Sequence, residues 1–161
     1  MNRKHLTPAQ ALQKLKQYCA YQERSHSDVS GKLYELGVWK KDHDAIISAL
    51  IEEDYLNELR FAIAFAGGKF RIKEWGRIKI RYELQQKKLS PYCINKAMKE
   101  IDDETYQATL KKLAEKKYLS LKGEQYLNRR KKTMDYLLSR GFEPALITAT
   151  IDDIAGKKKT P

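Results

Sequence analysis

The 161-residue sequence has little of several residue types, and each shortage excludes a class of protein. Cysteine occurs twice, at Cys19 and Cys93, which is too few for a disulfide framework or a four-cysteine zinc site. No apolar run approaches the ~18–20 residues that a membrane-spanning helix needs. The N-terminal residues lack the apolar segment of a signal peptide. We therefore expect a cytoplasmic protein that makes no membrane contact.

Patterns typical of catalysis and cofactor binding are missing as well. The three histidines have no cysteines or carboxylates at metal-ligand spacing. Gly67-Gly68 is an isolated pair and not a phosphate-binding glycine loop. A hydrolase or transferase would have to rely on Asp102-Asp103-Glu104 and Asp152-Asp153, which lie at predicted helix boundaries. We predict no enzyme, no cofactor and no metal site.

Proline and glycine are scarce, with four and eight residues, and between them apolar residues recur three and four positions apart. Leu12, Leu15 and Cys19 form one such stripe, which predicts an amphipathic helix with one buried face. Both cysteines, Cys19 and Cys93, lie on apolar stripes of this kind, and we predict that they are core residues. The segment 78–84 instead alternates apolar and polar residues, the pattern of a half-buried strand. It has no partner strand elsewhere, and we predict a helix there.

An internal repeat supports that prediction. Leu33, Leu84 and Leu137 are separated by 51 and 53 residues, and other apolar positions follow the same spacing. The sequence predicts an all-α fold of three tandem three-helix repeats, about nine helices in all, that form an elongated, curved body. We place the repeats at 1–55, 56–101 and 102–154, followed by a basic disordered tail at 155–161. A single compact bundle of eight or nine helices is the alternative.

The net charge of +11 is concentrated in two runs. Residues 69–88 hold eight Lys and Arg against two Glu, and residues 111–132 hold nine against two. Residues 42–58 hold six acidic residues and no Lys or Arg. Runs on successive repeats predict a surface that binds phosphates or an acidic protein. We call its members the basic strip: Lys69, Arg71, Lys73, Arg77, Lys79, Arg81, Lys87, Lys88, Lys111, Lys112, Arg129, Arg130, Lys131 and Lys132.

Aromatic residues are interleaved with the first run. On a helical wheel Trp75, Ile78 and Tyr82 share one face, whereas Ile80 and Leu84 lie on the other. Since one face forms the core of the repeat, the second is available for packing between repeats or for a partner. Trp75 and Tyr82 are the candidate partner-facing apolar residues.

Three dispersed segments carry a family resemblance. Arg24-Ser25-His26-Ser27 precedes Lys32-Leu33, and Asp54-Tyr55-Leu56-Asn57-Glu58 precedes Arg60-Phe61-Ala62. The third segment comprises Gly76, Lys79-Ile80, Glu83-Leu84 and Lys87-Lys88-Leu89. In these segments the sequence resembles the RecX family of recombination regulators over about residues 10–154. Asp54, Asn57 and Lys88 stand where the family pattern has glycine, aspartate and glycine.

The resemblance implies tandem three-helix repeats and a partner, the filament that RecA recombinase forms on single-stranded DNA. Members of that family lie in the groove of the filament and restrain its ATPase and strand exchange. They thereby affect homologous recombination, DNA repair and the SOS response. Some also bind DNA directly, single-stranded or double-stranded. We expect the chain to act in this way as a monomer.

A stand-alone helix-turn-helix DNA-binding protein, such as a transcriptional regulator, is the other hypothesis. It predicts sequence-specific binding to duplex DNA without RecA. The sequence has 23 Lys against 9 Arg, a balance that favours phosphate contacts over the reading of base edges. For the RecA hypothesis, we expect charge reversal at Arg77 with Arg81, or at Arg129 with Arg130, to weaken binding to the filament with little loss of helicity.

Overall fold

The structure is a computed structural model that describes residues 5–156. Nine helices and no strands are present in that range. Their bounds are α1 Pro8–Tyr21, α2 His26–Glu35, α3 Lys40–Glu52, α4 Glu58–Lys73, α5 Arg77–Gln86, α6 Pro91–Lys99, α7 Asp103–Ser120, α8 Tyr126–Ser139 and α9 Pro144–Gly156. The segment 78–84 is helical, as the repeat predicted. None of the helices in this range is long and apolar enough to cross a membrane.

The helices form three-helix repeats in tandem, so the fold class predicted from the sequence is confirmed. The helices α1, α2 and α3 pack on one another, and so do α7, α8 and α9. The repeat-related residues Leu33, Leu84 and Leu137 are all fully buried. The exact repeat boundaries at 55/56 and 101/102 remain predictions. The end of the predicted basic tail, Lys157–Lys159 included, lies outside the described residues.

The described residues divide into two compact units. The first unit comprises residues 5–65 and 84–97, and the second unit comprises residues 66–83 and 98–156. The apolar core of the first unit includes Leu15, Cys19, Leu33 and Leu50, each nearly or fully inaccessible to solvent. The largest buried side chains of the second unit include Tyr106 and Phe142.

The second helix of every repeat ends in the same turn. Residues Gly37, Lys88 and Gly141 have φ of +74°, +63° and +93°, in the left-handed region. The next residue donates its N–H to a carbonyl five positions back, from Val38 to Leu33, Leu89 to Leu84 and Phe142 to Leu137, at 3.0–3.3 Å. This is the Schellman arrangement, in which a buried apolar residue follows the left-handed one. The 51- and 53-residue spacing therefore applies to the backbone as well as to the core.

The segment that joins the first two repeats is well held despite two departures from the family pattern. Asp54 adopts φ +61°, a conformation that glycine would accept more readily, and its side chain pairs with Arg60 at 3.1 Å. Asn57 accepts the N–H of Arg60 through its side-chain oxygen at 2.9 Å, the contact that begins a helix. Arg60 also pairs with Glu23 at 2.5 Å. These contacts hold the start of α4 to the first repeat.

Candidate functional site

Most of the predicted basic strip lies in one unit. Only Lys87 and Lys88 belong to the first unit, and the other twelve strip residues belong to the second. The described part of the second unit holds 17 Lys and Arg against 12 Asp and Glu, a net charge of +5. The described part of the first unit holds 10 against 9, a net charge of +1. The charge is therefore segregated between the units, with the excess on the second.

Arg77, at the start of α5, is held by contacts inside the second unit. Its guanidinium carbon lies 3.7 Å from the centre of the Tyr106 ring. Its two terminal nitrogens pair with Asp103 at 2.5 Å and with Glu143 at 3.1 Å. A planar guanidinium can stack on an aromatic ring and pair with two carboxylates at once, as Arg77 does. Arg77 therefore has a structural role in joining α5 to the third repeat.

The backbone at the start of α5 is bound to the third repeat too. Gly76 N–H donates to the Arg140 carbonyl at 2.7 Å, and Ile78 N–H donates to the Gly141 carbonyl at 2.9 Å. The Arg77 N–H donates to the Tyr106 hydroxyl at 3.0 Å. The C-terminal end of α8 thus satisfies N–H groups that a helix leaves without internal partners. A Cβ on Gly76 would overlap the Gly141 backbone, so only glycine permits this approach.

Tyr106 completes this contact from α7. Its side chain is fully buried, and its hydroxyl donates to Glu143 while it accepts the Arg77 N–H. Burial, followed by the hydrogen bond to Glu143, raises the pKa of Tyr106 well above its ordinary value of 10.0. The phenol is therefore neutral at physiological pH, and it acts as a structural hydrogen-bonding group.

Arg129 and Arg130 are also held by neighbours. The Arg129 guanidinium lies 3.6 Å from the centre of the Tyr118 ring, and its Nε donates to the Tyr118 carbonyl at 2.7 Å. Arg130 pairs with Asp152 at 2.6 Å, and this contact raises its pKa. Both residues join α8 to other helices of the third repeat.

Several strip lysines form ion pairs at the surface, which contribute little stability individually. The pairs are Lys112 with Glu74 at 2.9 Å, Lys132 with Glu124 at 2.6 Å, Lys87 with Asp28 at 3.0 Å and Lys111 with Glu115 at 4.0 Å. Arg71, Lys73, Lys88 and Lys131 are exposed or partly exposed. The pair between Lys112 and Glu74 brings the two basic runs of the sequence together at one point.

The face of α5 that forms the core is the one with Ile80 and Leu84, both fully buried. On the opposite face Ile78 is 49% exposed and Tyr82 is 56% exposed. The placement of Trp75 on this wheel was wrong, because α4 ends at Lys73, Glu74 turns the chain with φ +55°, and α5 begins only at Arg77. Trp75 is partly buried, and the ammonium groups of Lys69 and Lys79 lie 5.0 and 4.5 Å from its ring centre.

Comparison with known proteins agrees with this architecture. The family model described as the second three-helix domain of RecX matches residues 57–98, and the third three-helix domain matches residues 104–151. The regulatory protein RecX of Prosthecochloris aestuarii is 32% identical over 139 residues, which cover 85% of this chain and 88% of the relative. The chain belongs to the RecX family.

Other members of the RecX family are similar over most of their length. The regulatory protein RecX of Chlorobium phaeobacteroides is 31% identical over 134 residues, which cover 82% of this chain and 86% of the relative. The crystal structure of RecX from Lactobacillus salivarius superposes with a TM-score of 0.82 at 23% identity, over 92% of this chain and 96% of that one. A second RecX crystal structure gives 0.81 at 24% identity, over 91% and 71%. These structures share the fold of this chain.

The prediction from charge runs did not identify the residues that hold Arg77 in this RecX-family chain. Asp103, Tyr106 and Glu143 lie 26, 29 and 66 residues from Arg77 in sequence, so no local pattern connects them. The first repeat contains a matching contact. Arg24 stacks on Tyr18 at 3.7 Å and donates its Nε to the Tyr18 carbonyl at 3.0 Å, the contact that Arg129 makes with Tyr118.

Proposed function

We propose that the chain is a regulator that binds the RecA filament on single-stranded DNA and restrains its ATP hydrolysis and strand exchange. It acts by binding and without chemistry of its own. Through this it limits homologous recombination and tunes DNA repair and the SOS response. The proposal takes the protein as a cytoplasmic monomer and rests on its membership of the RecX family.

The observation that carries the proposal is the excess of positive charge on the second unit, which also carries exposed apolar side chains on α4 and α5. The residues Ile78 and Tyr82 are half exposed on α5, and Ile72, near the end of α4, is 78% exposed. Exposed apolar groups among basic residues fit a partner that offers both a protein surface and phosphates. A recombinase filament on DNA has both.

The test is the DNA-dependent ATP hydrolysis of RecA in the presence of substoichiometric amounts of this protein. We expect the wild type to lower the rate at physiological salt. The double variant Ile78→Ser/Tyr82→Ser removes the exposed apolar face of α5, and we expect it to lose most of that effect. It should stay folded, because about half of each side chain is already exposed to solvent.

The matched control is Leu119→Ser/Leu127→Ser, which removes two exposed apolar side chains from other parts of the second unit. It should restrain RecA as the wild type does. A wild-type protein that leaves RecA hydrolysis unchanged would sink the proposal. Equal losses in both double variants would show that the α5 face is not the contact.

The alternative, a stand-alone regulator that reads duplex DNA, requires arginines free to contact base edges. Arg77, Arg129 and Arg130 are engaged with neighbouring side chains, which disfavours this function. A sequence-specific duplex footprint obtained without RecA would favour it instead.

A further inference from the structure

A cavity of about 270 Å³ opens on the second unit beside the basic strip. It lies where the C-terminal half of α7 meets α8 and the residue that follows α4. Its lining includes Glu74, Lys116, Lys117, Tyr136 and Arg140. We call this cavity the α7–α8 groove. Apart from Glu74, its charged lining residues are basic, and none of them belongs to the basic strip.

Two of the cations are positioned by one aromatic ring. The Lys117 ammonium lies 5.2 Å and the Arg140 guanidinium carbon 5.3 Å from the centre of the Tyr136 ring. Attraction to the ring face holds both groups in place, although they carry the same charge. Two cations that line one groove favour an anion there.

A backbone carbonyl outside the groove lining orients Arg140. One of its N–H groups donates to the Lys73 carbonyl at 2.7 Å. A guanidinium has five N–H donors in a fixed plane, so this bond sets the direction of the others. An arginine anchored in this way suits the oxygens of a phosphate group.

The acidic side chain in the lining, Glu74, is matched by a cation outside it. Lys112 pairs with the Glu74 carboxylate at 2.9 Å. With this pair set aside, Lys116, Lys117 and Arg140 give the groove three positive charges. The ion pair therefore limits the repulsion that Glu74 would exert on an anion.

We infer that the α7–α8 groove binds a backbone phosphate of single-stranded DNA through Lys116, Lys117 and Arg140. The inference rests on the proposed function, since the RecA filament supplies that strand. A nucleic acid is favoured over a free phosphate because the exposed Lys73, whose carbonyl binds Arg140, continues the basic surface beyond the groove. A strand that carries a charge at every nucleotide can use that continuation.

The test uses the full-length protein without RecA and a fluorescein-labelled oligothymidylate. Its binding is followed by fluorescence anisotropy over a range of salt concentrations. The variant Lys116→Gln/Lys117→Gln should bind about tenfold or more weakly at low salt. Loss of two phosphate contacts should also reduce the slope of log K against log salt by roughly 1.4, at about 0.7 per contact on single strands.

The control is Lys99→Gln/Lys122→Gln, which removes the same charge from exposed positions of the second unit outside both the groove and the basic strip. Its affinity should fall clearly less, about threefold or less, and its slope should stay closer to that of the wild type. Circular dichroism should show all three proteins folded. The inference is wrong if the control loses as much affinity as the groove variant, or if the groove variant binds as the wild type does.

Inorganic phosphate separates the two sources of the ligand. If phosphate at matched ionic strength displaces the oligonucleotide from the wild type but not from the groove variant, the groove takes either source. If it displaces the strand from neither, the polymer is the ligand. Both outcomes support a phosphate groove. If phosphate instead displaces the strand from the wild type and from the groove variant alike, the competition does not take place in the groove and the inference is contradicted.

Failure of this inference is distinguishable from failure of the proposed function. A wild-type protein that does not restrain RecA overturns the proposed function, whatever the oligonucleotide shows. A wild-type protein that restrains RecA, combined with unchanged DNA binding by the groove variant, overturns only the groove.

Discussion

Arg24 and Arg129 make the same two contacts in the first and third repeats, a stack on a tyrosine ring and a bond to the carbonyl of that tyrosine. Arg60 and Arg77 each pair with two carboxylates. At the scale of the residue, these arginines therefore hold helices together. The guanidinium suits this role because its planar donors and flat faces satisfy several partners at once.

The substitution Arg77→Lys tests this role. Lysine keeps the positive charge but loses the stack on Tyr106 and the fork that reaches Asp103 and Glu143. We expect the free energy of unfolding to fall by about 1–2 kcal/mol, measured by urea denaturation. The control Lys131→Ala, at an exposed position, should change it by less than about 0.5 kcal/mol.

If Arg77→Lys is as stable as the wild type, Arg77 is not structural. The binding role predicted for it from the charge run would then regain support.

Lys88 provides a second test at the residue scale. It occupies the left-handed position that Gly37 and Gly141 hold in the other repeats, with φ +63°. A side chain in this conformation costs about 1 kcal/mol relative to glycine. We therefore expect Lys88→Gly to raise the free energy of unfolding by about 0.5–1 kcal/mol in urea denaturation.

Gln85→Gly, inside α5, is the control for the added flexibility of glycine. It should destabilise the protein by roughly 0.5–1 kcal/mol. Destabilisation by Lys88→Gly as well would mean that the Lys88 side chain makes contacts that outweigh the strain.

At the scale of the element, the second helices of the repeats begin in different ways. The helix α2 has a capping box, in which Ser25 and Asp28 exchange hydrogen bonds at 3.0 Å. The helix α5 has glycine at the matching position and takes the carbonyls of Arg140 and Gly141 instead. In the first unit the end of α5 also meets the start of α2, where Ser27 donates to the Lys87 carbonyl at 2.8 Å. The N-terminus of α2 therefore depends mainly on local capping, whereas the N-terminus of α5 depends on hydrogen bonds to the third repeat.

Asp28 makes the α2 cap sensitive to acid. Burial favours its neutral form, but the Ser25 N–H and the Lys87 ammonium outweigh this, and the net pKa of Asp28 lies below its ordinary value of 3.8. A carboxyl with a lowered folded pKa stabilises the protein above the unfolded pKa, and this contribution is lost as the pH falls through the folded value.

Comparison of the wild type with Asp28→Asn by urea denaturation at several pH values tests this. The wild type should be the more stable protein near neutral pH. Its advantage should shrink as the pH falls below about 4, because the amide that replaces the carboxyl does not titrate. An advantage that stays constant down to acid pH would show that the charge of Asp28 does not stabilise the cap. Asp42→Asn, on α3, is the control for loss of an acidic side chain elsewhere in the first unit.

At the scale of the whole molecule, the excess charge is unevenly divided between the units, with +5 on the described part of the second and +1 on that of the first. Neutralisation of three exposed basic residues of the second unit, Arg71→Gln/Lys73→Gln/Lys131→Gln, should weaken binding to single-stranded DNA about tenfold or more. The slope of log K against log salt should fall by up to roughly 2.

The matched variant of the first unit is Lys14→Gln/Lys40→Gln/Lys41→Gln, whose three lysines are also exposed. Its affinity should fall about threefold or less, measured by anisotropy at the same salt concentrations. Similar losses in both triple variants would show that total charge, and not its place in the chain, governs binding.

The sequence by itself determined the all-helical class and the register of the three repeats. These depend on neighbours within a few residues and on a spacing that recurs along the chain, as in Leu33, Leu84 and Leu137. The basic runs were also legible, since charge is a property of the residue. Only the tertiary structure decided which cations join helices and which face solvent. The partners of Arg77 lie up to 66 residues away, and a guanidinium has the same charge whether it meets Glu143 or a phosphate.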